Sequence, residues 1–187
     1  MDVLIVCESV FGNTRVIAEE IANGVCAAGD GIRVAVLGPA DATPARTGEA
    51  ALVIAGGPTH MLGMSRPASR SKALQARADR DDGSGEAAAL GARSGEAGIR
   101  EWLTGLPRAA TGAMAASFDT RLPSRLAGGA APKIARRLRR LGYRIVASPA
   151  GFLVDAAEGP LRPGERERAR AWGAALAREL AGQPVPR

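Results

Sequence analysis

The chain contains few of the residues from which metal and redox centres are usually built. Histidine occurs once, at His60, and cysteine twice, at Cys7 and Cys26. A single histidine excludes a histidine-rich metal site, and two cysteines without C-x-x-C spacing cannot form a disulfide framework. No G-x-S-x-G motif accompanies the histidine, so a Ser-His-Asp triad has no support. We therefore predict no metal site and no catalytic residue, and interpret both cysteines as small core residues.

Aromatic residues and long apolar runs are also scarce. Aromatic residues make up 3% of the chain, which leaves few side chains on which the bases of a nucleic acid could stack. No apolar run approaches the ~20 residues that a membrane-spanning helix needs. The first strand begins directly after Met1 and Asp2, without a charged leader. These absences predict a cytoplasmic protein that binds no nucleic acid and does not span a membrane.

Positive charge is concentrated towards the C-terminal end. The formal net charge is +6, and residues 131–187 contain 12 Lys/Arg against 5 Asp/Glu, a net of +7. Residues 1–130 contain 13 against 14, a net of −1. A predicted helix at 133–141 carries four arginines, and the sequence leaves two interpretations of them open, a solvated helix face or a docking surface for an acidic partner. The four are Arg136, Arg137, Arg139 and Arg140.

The first 30 residues contain the most specific motif of the chain. Residues 3–7 are continuously apolar, which is typical of a parallel strand buried on both faces. Helical spacing follows, with Ile17, Ile21 and Val25 on one stripe. Free amide groups at the start of a helix, surrounded by short polar side chains, suit a phosphate. The loop that would supply them contains Ser9, Val10, Phe11, Gly12, Asn13 and Thr14.

The rest of the chain alternates between predicted strands and helices. This alternation predicts an α/β fold, with a doubly wound parallel sheet of five strands between two layers of helices. The order 2-1-3-4-5, one of the common orders of such sheets, fits a first strand that lies centrally. We predict a single domain over residues 1–187, with an exposed Gly/Ala/Asp-rich insertion at 79–98. Ligands of such sheets bind at the carboxyl ends of the strands. Predicted strands lie at 3–7, 32–37, 51–55, 112–118 and 143–147, with a short extension at 152–154, and further helices near 68–78, from 99, at 133–141 and at 165–180.

The sequence Ser-x-x-Gly-Asn-Thr, directly after an N-terminal strand, resembles the FMN phosphate loop of flavodoxins and flavodoxin-like proteins. It contains neither the lysine of G-x-x-x-x-G-K-[ST] nor a G-x-G-x-x-G pattern. The resemblance implies that residues 9–14 hold the phosphate of FMN and that two further loops flank its ring. One loop comprises Pro58, Thr59, His60, Met61, Leu62 and Gly63, and the other comprises Ser117, Phe118, Asp119 and Thr120.

The chain departs from the flavodoxin pattern at two points. Phe11 stands where the phosphate loop usually has Thr or Ser, and the Trp and Tyr that commonly enclose the ring are replaced by His60, Met61 and Phe118. His60 therefore has two open roles, since it could face the ring or cap its own loop. Gly63 could supply a carbonyl that turns towards the ring, because glycine permits a peptide flip at little cost.

The resemblance implies a function in electron transfer. The expected protein binds FMN and passes single electrons to or from a protein partner whose docking surface is acidic, and is more an electron carrier than a stand-alone oxidoreductase. Two alternatives remain open: an NAD(P)H-dependent quinone or flavin reductase, and an interaction module of the same fold that has lost FMN.

Overall fold

The computed structural model describes residues 1–60, 63–78, 98–123 and 128–182. These residues form seven strands and six helices. The strands are β1 (Asp2–Cys7), β2 (Arg33–Leu37), β3 (Leu52–His60), β4 (Gly63–Met64), β5 (Met114–Arg121), β6 (Arg144–Ile145) and β7 (Ala150–Leu153). The helices are α1 (Asn13–Ala28), α2 (Pro44–Glu49), α3 (Pro67–Ala78), α4 (Ile99–Gly105), α5 (Ala130–Arg140) and α6 (Glu165–Ala181).

The sheet has the predicted doubly wound topology. Its strands follow the order β2-β1-β3-β5-β6 and pair in parallel, so that Ile54 of β3 lies between Ile5 of β1 and Ala116 of β5. The short strand β4 pairs antiparallel with β3 and was not predicted. Because β4 occupies the fourth place in the chain, the predicted fourth and fifth strands are β5 and β6. The predicted α/β fold and strand order are confirmed.

Helices cover the two faces of the sheet, because successive side chains of a strand point to opposite sides. Val3, Ile5 and Cys7 pack with α1 and α6, whereas Leu4 and Val6 pack with α4 and α5. The helices α1 and α6 approach each other so closely that a Cβ on the glycines at positions 24 and 173 would overlap the opposing backbone. The sheet therefore lies between two helical layers, each sealed by its own apolar core.

The two central strands that carry the predicted ring loops are longer than predicted. β3 continues past residue 55 to His60, and β5 continues past residue 118 to Arg121. Their pairing extends with them, since Gly57 lies opposite Asp119 and Pro58 opposite Thr120. The polar residues that predicted the end of each strand are instead part of the sheet.

Several other boundaries also differ from the prediction. The fifth predicted strand shortens to β6, and the predicted extension at 152–154 corresponds to β7, which begins earlier, at Ala150; both strands pair with β5. α5 begins at Ala130 rather than at residue 133, and Pro132 is tolerated because it lies in the first turn. α2, capped by Thr43, was not predicted. None of the described helices is long and apolar enough to span a membrane.

The two cysteines lie in different environments. Cys7 is buried in the core, where burial raises the pKa of its thiol to about 12. Cys26 is exposed, so its prediction as a core residue was wrong. It follows Val25, the last residue of the buried stripe of α1, and one further residue turns the side chain about 100° away from that stripe.

The predicted exposed insertion is described at one residue only. Gly98 is buried, and a Cβ there would overlap the Arg70 guanidinium, so the prediction of exposure was wrong at this position. Gly98 precedes α4 and belongs to its N-terminal cap. The remainder of the predicted insertion, residues 79–97, lies outside the described residues.

Candidate functional site at the carboxyl edge of the sheet

A cleft of about 400 Å³ opens where β1, β3 and β5 end. Its volume lies within the range of small-molecule and cofactor sites. Residues from all three predicted loops meet there, together with residues of α3 and of the segment after β7. The described residues that line it are Val10, Phe11, Asn13, Thr14, Pro58, Thr59, His60, Ser69, Lys72, Ala73, Thr120, Arg121, Leu122, Val154 and Ala157.

One end of the cleft is formed by the loop between β1 and α1. Gly12 caps α1 with a positive φ of 90°, and its carbonyl accepts the first bond of the helix from the Val16 amide at 3.0 Å. The cap makes no side-chain hydrogen bond, and the first turn contains no acidic residue. The amide groups of the first turn have no acceptor within the helix, and no acidic side chain of that turn offsets the positive end of α1.

The side chains of this loop are fixed by bonds to other parts of the chain. The Asn13 side-chain amide donates to the Glu158 carbonyl at 2.8 Å, and the hydroxyls of Thr14 and Thr120 lie 2.7 Å apart. The Ser9 hydroxyl accepts from the amide of Arg15 at 3.2 Å. The loop is therefore held rigid from β5 and from the segment after β7. Ser9 and Gly12 belong to this loop but do not line the cleft.

The end of β3 forms a second wall. The Thr59 hydroxyl donates to the Asp119 carboxylate at 3.0 Å and accepts from the Ala130 amide at 2.8 Å. His60 is half-buried, and burial lowers the pKa of its imidazole, with a smaller opposing effect from Glu8. A neutral imidazole offers a ligand one donor and one acceptor. Met61 and Leu62 lie outside the described residues.

Gly63 is not among the described residues that line the cleft. It pairs with His60 across the short hairpin of β3 and β4, and it packs against the Lys133 side chain. A ring-facing role for its carbonyl therefore remains a prediction that the described geometry does not favour.

Three of the four residues predicted from β5 do not reach the cleft, which corrects the expectation. Ser117 donates to the Ala131 carbonyl at 3.0 Å, and Phe118 packs edge-on against Phe152 with ring centres 6.3 Å apart. Asp119 accepts from the Ala131 amide at 2.9 Å. All three are fully buried, because β5 continues through them as a central strand. Of this predicted set, only Thr120 lines the cleft.

The cleft residues that were not predicted come from three sources, one of which is the segment after β7 with Val154 and Ala157. Arg121 and Leu122 follow the predicted set directly, and Leu122 is 47% exposed, a high value for a large apolar side chain. Ser69, Lys72 and Ala73 share one face of α3. Their spacing was visible in the sequence, but only the fold shows that this face borders the cleft.

A buried polar network holds α3 in place behind His60. The Glu8 carboxylate accepts from the Ser65 hydroxyl at 2.7 Å and from the Ile99 amide at 2.9 Å. Arg70 of α3 donates to the Ser65 hydroxyl at 3.2 Å and pairs with Glu101 at 2.9 Å. Arg70 is 2% exposed. The wall formed by α3 is thus anchored through a charged side chain rather than through an apolar face.

The charges around the cleft have one sign. Among the described lining residues, Lys72 and Arg121 are cationic and none is a carboxylate. Within the same described part of the chain, no group of three or more His, Cys, Asp or Glu is arranged to hold a metal ion. The cleft favours an anionic ligand, with its strongest donors at the start of α1.

Comparison with known proteins identifies the fold. No family model and no curated protein matches the sequence. Among solved structures, the chain is similar to an archaeal flavodoxin, with a TM-score of 0.65 and 19% identity over 97% of this chain and 99% of that one. A flavodoxin from Streptococcus pneumoniae matches with a TM-score of 0.61 and 17% identity, over 97% and 98%.

A flavodoxin-like fold is common to proteins of differing description. The WrbA-like protein of Agrobacterium tumefaciens matches with a TM-score of 0.55 and 18% identity, over 98% of this chain and 99% of that one. The chain has the flavodoxin-like fold, and the resemblance seen in its phosphate-loop residues is confirmed at that level.

Proposed function

We propose that the chain, with its flavodoxin-like fold, binds one FMN in the cleft and passes single electrons to or from a protein partner. The observation that carries this proposal is the open N-terminus of α1, with Gly12 as its cap, at one end of a cleft of about 400 Å³. A phosphate placed there would meet amide groups that have no acceptor within the helix and the positive end of the helix dipole.

The residues around the cleft fit the parts of FMN. The loop of residues 9–14 would hold the phosphate through its backbone amides, since the Asn13 and Thr14 side chains already have protein partners. The space beside Gly12 is open, because a Cβ there would have no atom within 4 Å. The chemistry of the group thus suits the amide groups at the start of α1, which have no acceptor within the helix.

The ring of the flavin would lie between apolar and polar walls. Leu122 and Phe11 offer apolar contact, and His60 offers a hydrogen bond from its half-buried imidazole. When bound, FMN would supply the redox chemistry, while the protein binds it, orients it and limits the access of water. With Phe118 in the core, no described aromatic residue of β5 stacks on the ring.

The partner would meet the basic surface of α5. Arg136, Arg139 and Arg140 are exposed and Arg137 is half-buried, and together they give one end of this helix a dense positive charge. An acidic partner would be steered towards this surface at low ionic strength. We expect the rate of electron transfer to fall as salt increases, and to fall when these four arginines are replaced by glutamate while FMN binding is retained.

The first experiment is a titration of the purified apoprotein with FMN and with riboflavin, followed by flavin fluorescence. Binding of FMN much more tightly than riboflavin supports the proposal, because the proposed role of the loop is to contact only the phosphate. A protein that binds neither flavin would contradict it and favour an interaction module. Rapid oxidation of NADPH by the loaded protein alone, without an added reductase, would favour a flavin or quinone reductase.

A further inference from the structure

Arg121 is held in the wall of the cleft from several sides. Its guanidinium donates to the Gly128 carbonyl at 3.1 Å, and its side chain is 35% exposed. It also lies flat against the backbone at Gly151, where a Cβ would come within 2.6 Å of the Arg121 Nε. The absence of a side chain at Gly151 therefore makes room for the guanidinium. Lys72, the other cation of the cleft, is exposed on α3.

The carboxylate nearest to Arg121 has other partners. Asp119 Oδ1 lies 3.7 Å from the Arg121 Nε, which is too long for a hydrogen bond. Asp119 Oδ2 accepts from the Ala131 amide and the Thr59 hydroxyl, at 2.9 and 3.0 Å. The positive end of α5 thus compensates much of the Asp119 charge. Arg121 therefore combines a loose ion pair to the buried Asp119 with a place in the lining of a cleft whose described lining contains no carboxylate.

We infer that Arg121 is a fixed cation that stabilises negative charge on the group bound in the cleft and so raises the reduction potential of the bound flavin. This inference rests on the proposed function, because it concerns the same cleft. It differs from an effect of the overall charge of +6, since it assigns the effect to one anchored side chain. Because this guanidinium is already fixed before binding, it loses little conformational entropy when the ligand binds. Its electrostatic interaction with the ligand is therefore not offset by a cost of ordering the side chain.

The test compares neutral variants by equilibrating each FMN-loaded protein with a reference redox dye. Arg121→Gln should lower the equilibrium constant for reduction by about tenfold, as expected for loss of one unit charge from a partly solvated site. Arg121→Met, which keeps the aliphatic part of the side chain, should lower the equilibrium constant by a similar factor. It takes the place of Arg121→Gln in the test if that variant does not bind FMN. Arg121→Lys should stay within about threefold of the unmodified protein, because the charge remains.

Two controls separate this effect from general charge. Arg178→Gln makes the same charge change in the last turn of α6, about 20 Å along that helix from its N-terminal end. It should change the equilibrium constant by less than about twofold. Lys72→Gln, at an exposed and unanchored cation of the cleft, should give a smaller shift than Arg121→Gln.

Equal shifts for Arg121→Gln and Arg178→Gln would overturn the inference, as would a larger shift for Lys72→Gln. The melting temperature of each apoprotein provides a second readout. If Arg121 acts only through its hydrogen bond to Gly128, then Arg121→Lys should lower the melting temperature as the neutral variants do, and the reduction potential should not change in any variant. If the unmodified protein does not bind FMN, the proposed function fails, and this inference with it. If the protein binds FMN and the neutral variants keep its potential, only the inference fails.

Discussion

Two junctions between strand and helix, β1 to α1 and β5 to α5, lie at the same edge of the sheet and have opposite character. At α1, Gly12 is exposed and offers no side-chain cap, the first turn contains no acidic residue, and the Arg15 amide donates to the neutral Ser9 hydroxyl at 3.2 Å. At α5, the Ala130 amide donates to Thr59 and the Ala131 amide to Asp119, at 2.8 and 2.9 Å. One helix begins open to the cleft, and the other begins closed inside the protein.

The comparison shows that topology alone does not create an anion site. Both helices present the positive end of a dipole to the carboxyl edge of the sheet. At α5 the Asp119 carboxylate already occupies the place of an anion, and it is fully buried. Burial raises the pKa of Asp119, while the Ala131 amide and the Arg121 guanidinium oppose that change. An external phosphate therefore has one favourable helix start among these two, at α1.

The largest effect is expected from Phe118→Ala, which tests whether β5 belongs to the core or to the cleft. Removing a fully buried ring that contacts Phe152 and Trp172 should cost about 3–5 kcal/mol of unfolding free energy. Urea denaturation measures this loss. FMN affinity, measured well below the melting temperature, should change little.

Leu122→Ala is the matched control for that prediction. Leu122 is exposed and lines the cleft, so the expected pattern is reversed, with a small change in stability and weaker FMN binding. A Phe118→Ala variant that has normal stability but no longer binds FMN would show that Phe118 belongs to the binding site and not to the core.

The next effect concerns the closed junction. Asp119→Ala should destabilise the fold by about 2–3 kcal/mol, because it leaves the Ala131 amide and the Thr59 hydroxyl without their acceptor in a buried place. Denaturant unfolding measures the change. Asp155→Ala, which removes an exposed carboxylate paired with Arg162, should cost less than about 1 kcal/mol. Equal losses in the two variants would show that Asp119 does not close α5.

The open junction is tested through two glycines of similar conformation. Gly12 and Gly164 each cap a helix, with φ of 90° and 83°, and a Cβ added to either glycine would have no atom within 4 Å. Gly12→Val and Gly164→Val should each strain the backbone by about 1–2 kcal/mol. Only Gly12→Val should also weaken FMN binding, by about 1.5–3 kcal/mol for each charge-assisted bond lost.

Calorimetric titration with FMN and riboflavin measures this difference. Riboflavin affinity should be nearly unchanged in both variants, because riboflavin carries no phosphate. If Gly12→Val lowers the affinity for FMN and for riboflavin equally, the loop does not bind the phosphate as proposed. If Gly164→Val also lowers the affinity for FMN, backbone strain alone disturbs the cleft.

The smallest effect is a pH dependence from His60 in the second wall. Burial lowers its pKa below the ordinary value of 6.5, so the unfolded chain binds more protons than the native chain between these two values. Stability from His60 is therefore complete above the unfolded pKa and is lost as the pH falls through the lowered one. His60→Gln should reduce the slope of the unfolding free energy against pH in this range, by less than about 1.4 kcal/mol per pH unit. Urea midpoints across the window measure it, and an unchanged slope in the variant would assign the dependence to other groups.

The sequence alone was sufficient for features that depend on local periodicity. The apolar run at residues 3–7 predicted β1, and the stripe of Ile17, Ile21 and Val25 predicted the buried face of α1. The loop between them predicted the open helix start, since Gly12 and its neighbours act through their own backbone. The alternation of elements predicted a doubly wound sheet, and the strand order adopted for it, one of the common orders of such sheets, is confirmed by the structure.

Tertiary structure decided which residues at the ends of the strands and on α3 line the cleft. Phe118 and Asp119 resembled the end of a strand, yet the pairing of β5 with β3 continues to Thr120 and turns both side chains inward. Arg121 reached the cleft because the strand is longer than its apolar run. Lys72 reached it because the buried Arg70 anchors α3 to the nearby Ser65 and to Glu101, which lies far away in the chain. Local periodicity contains no information on such long-range bonds, so only the folded chain could place these residues together.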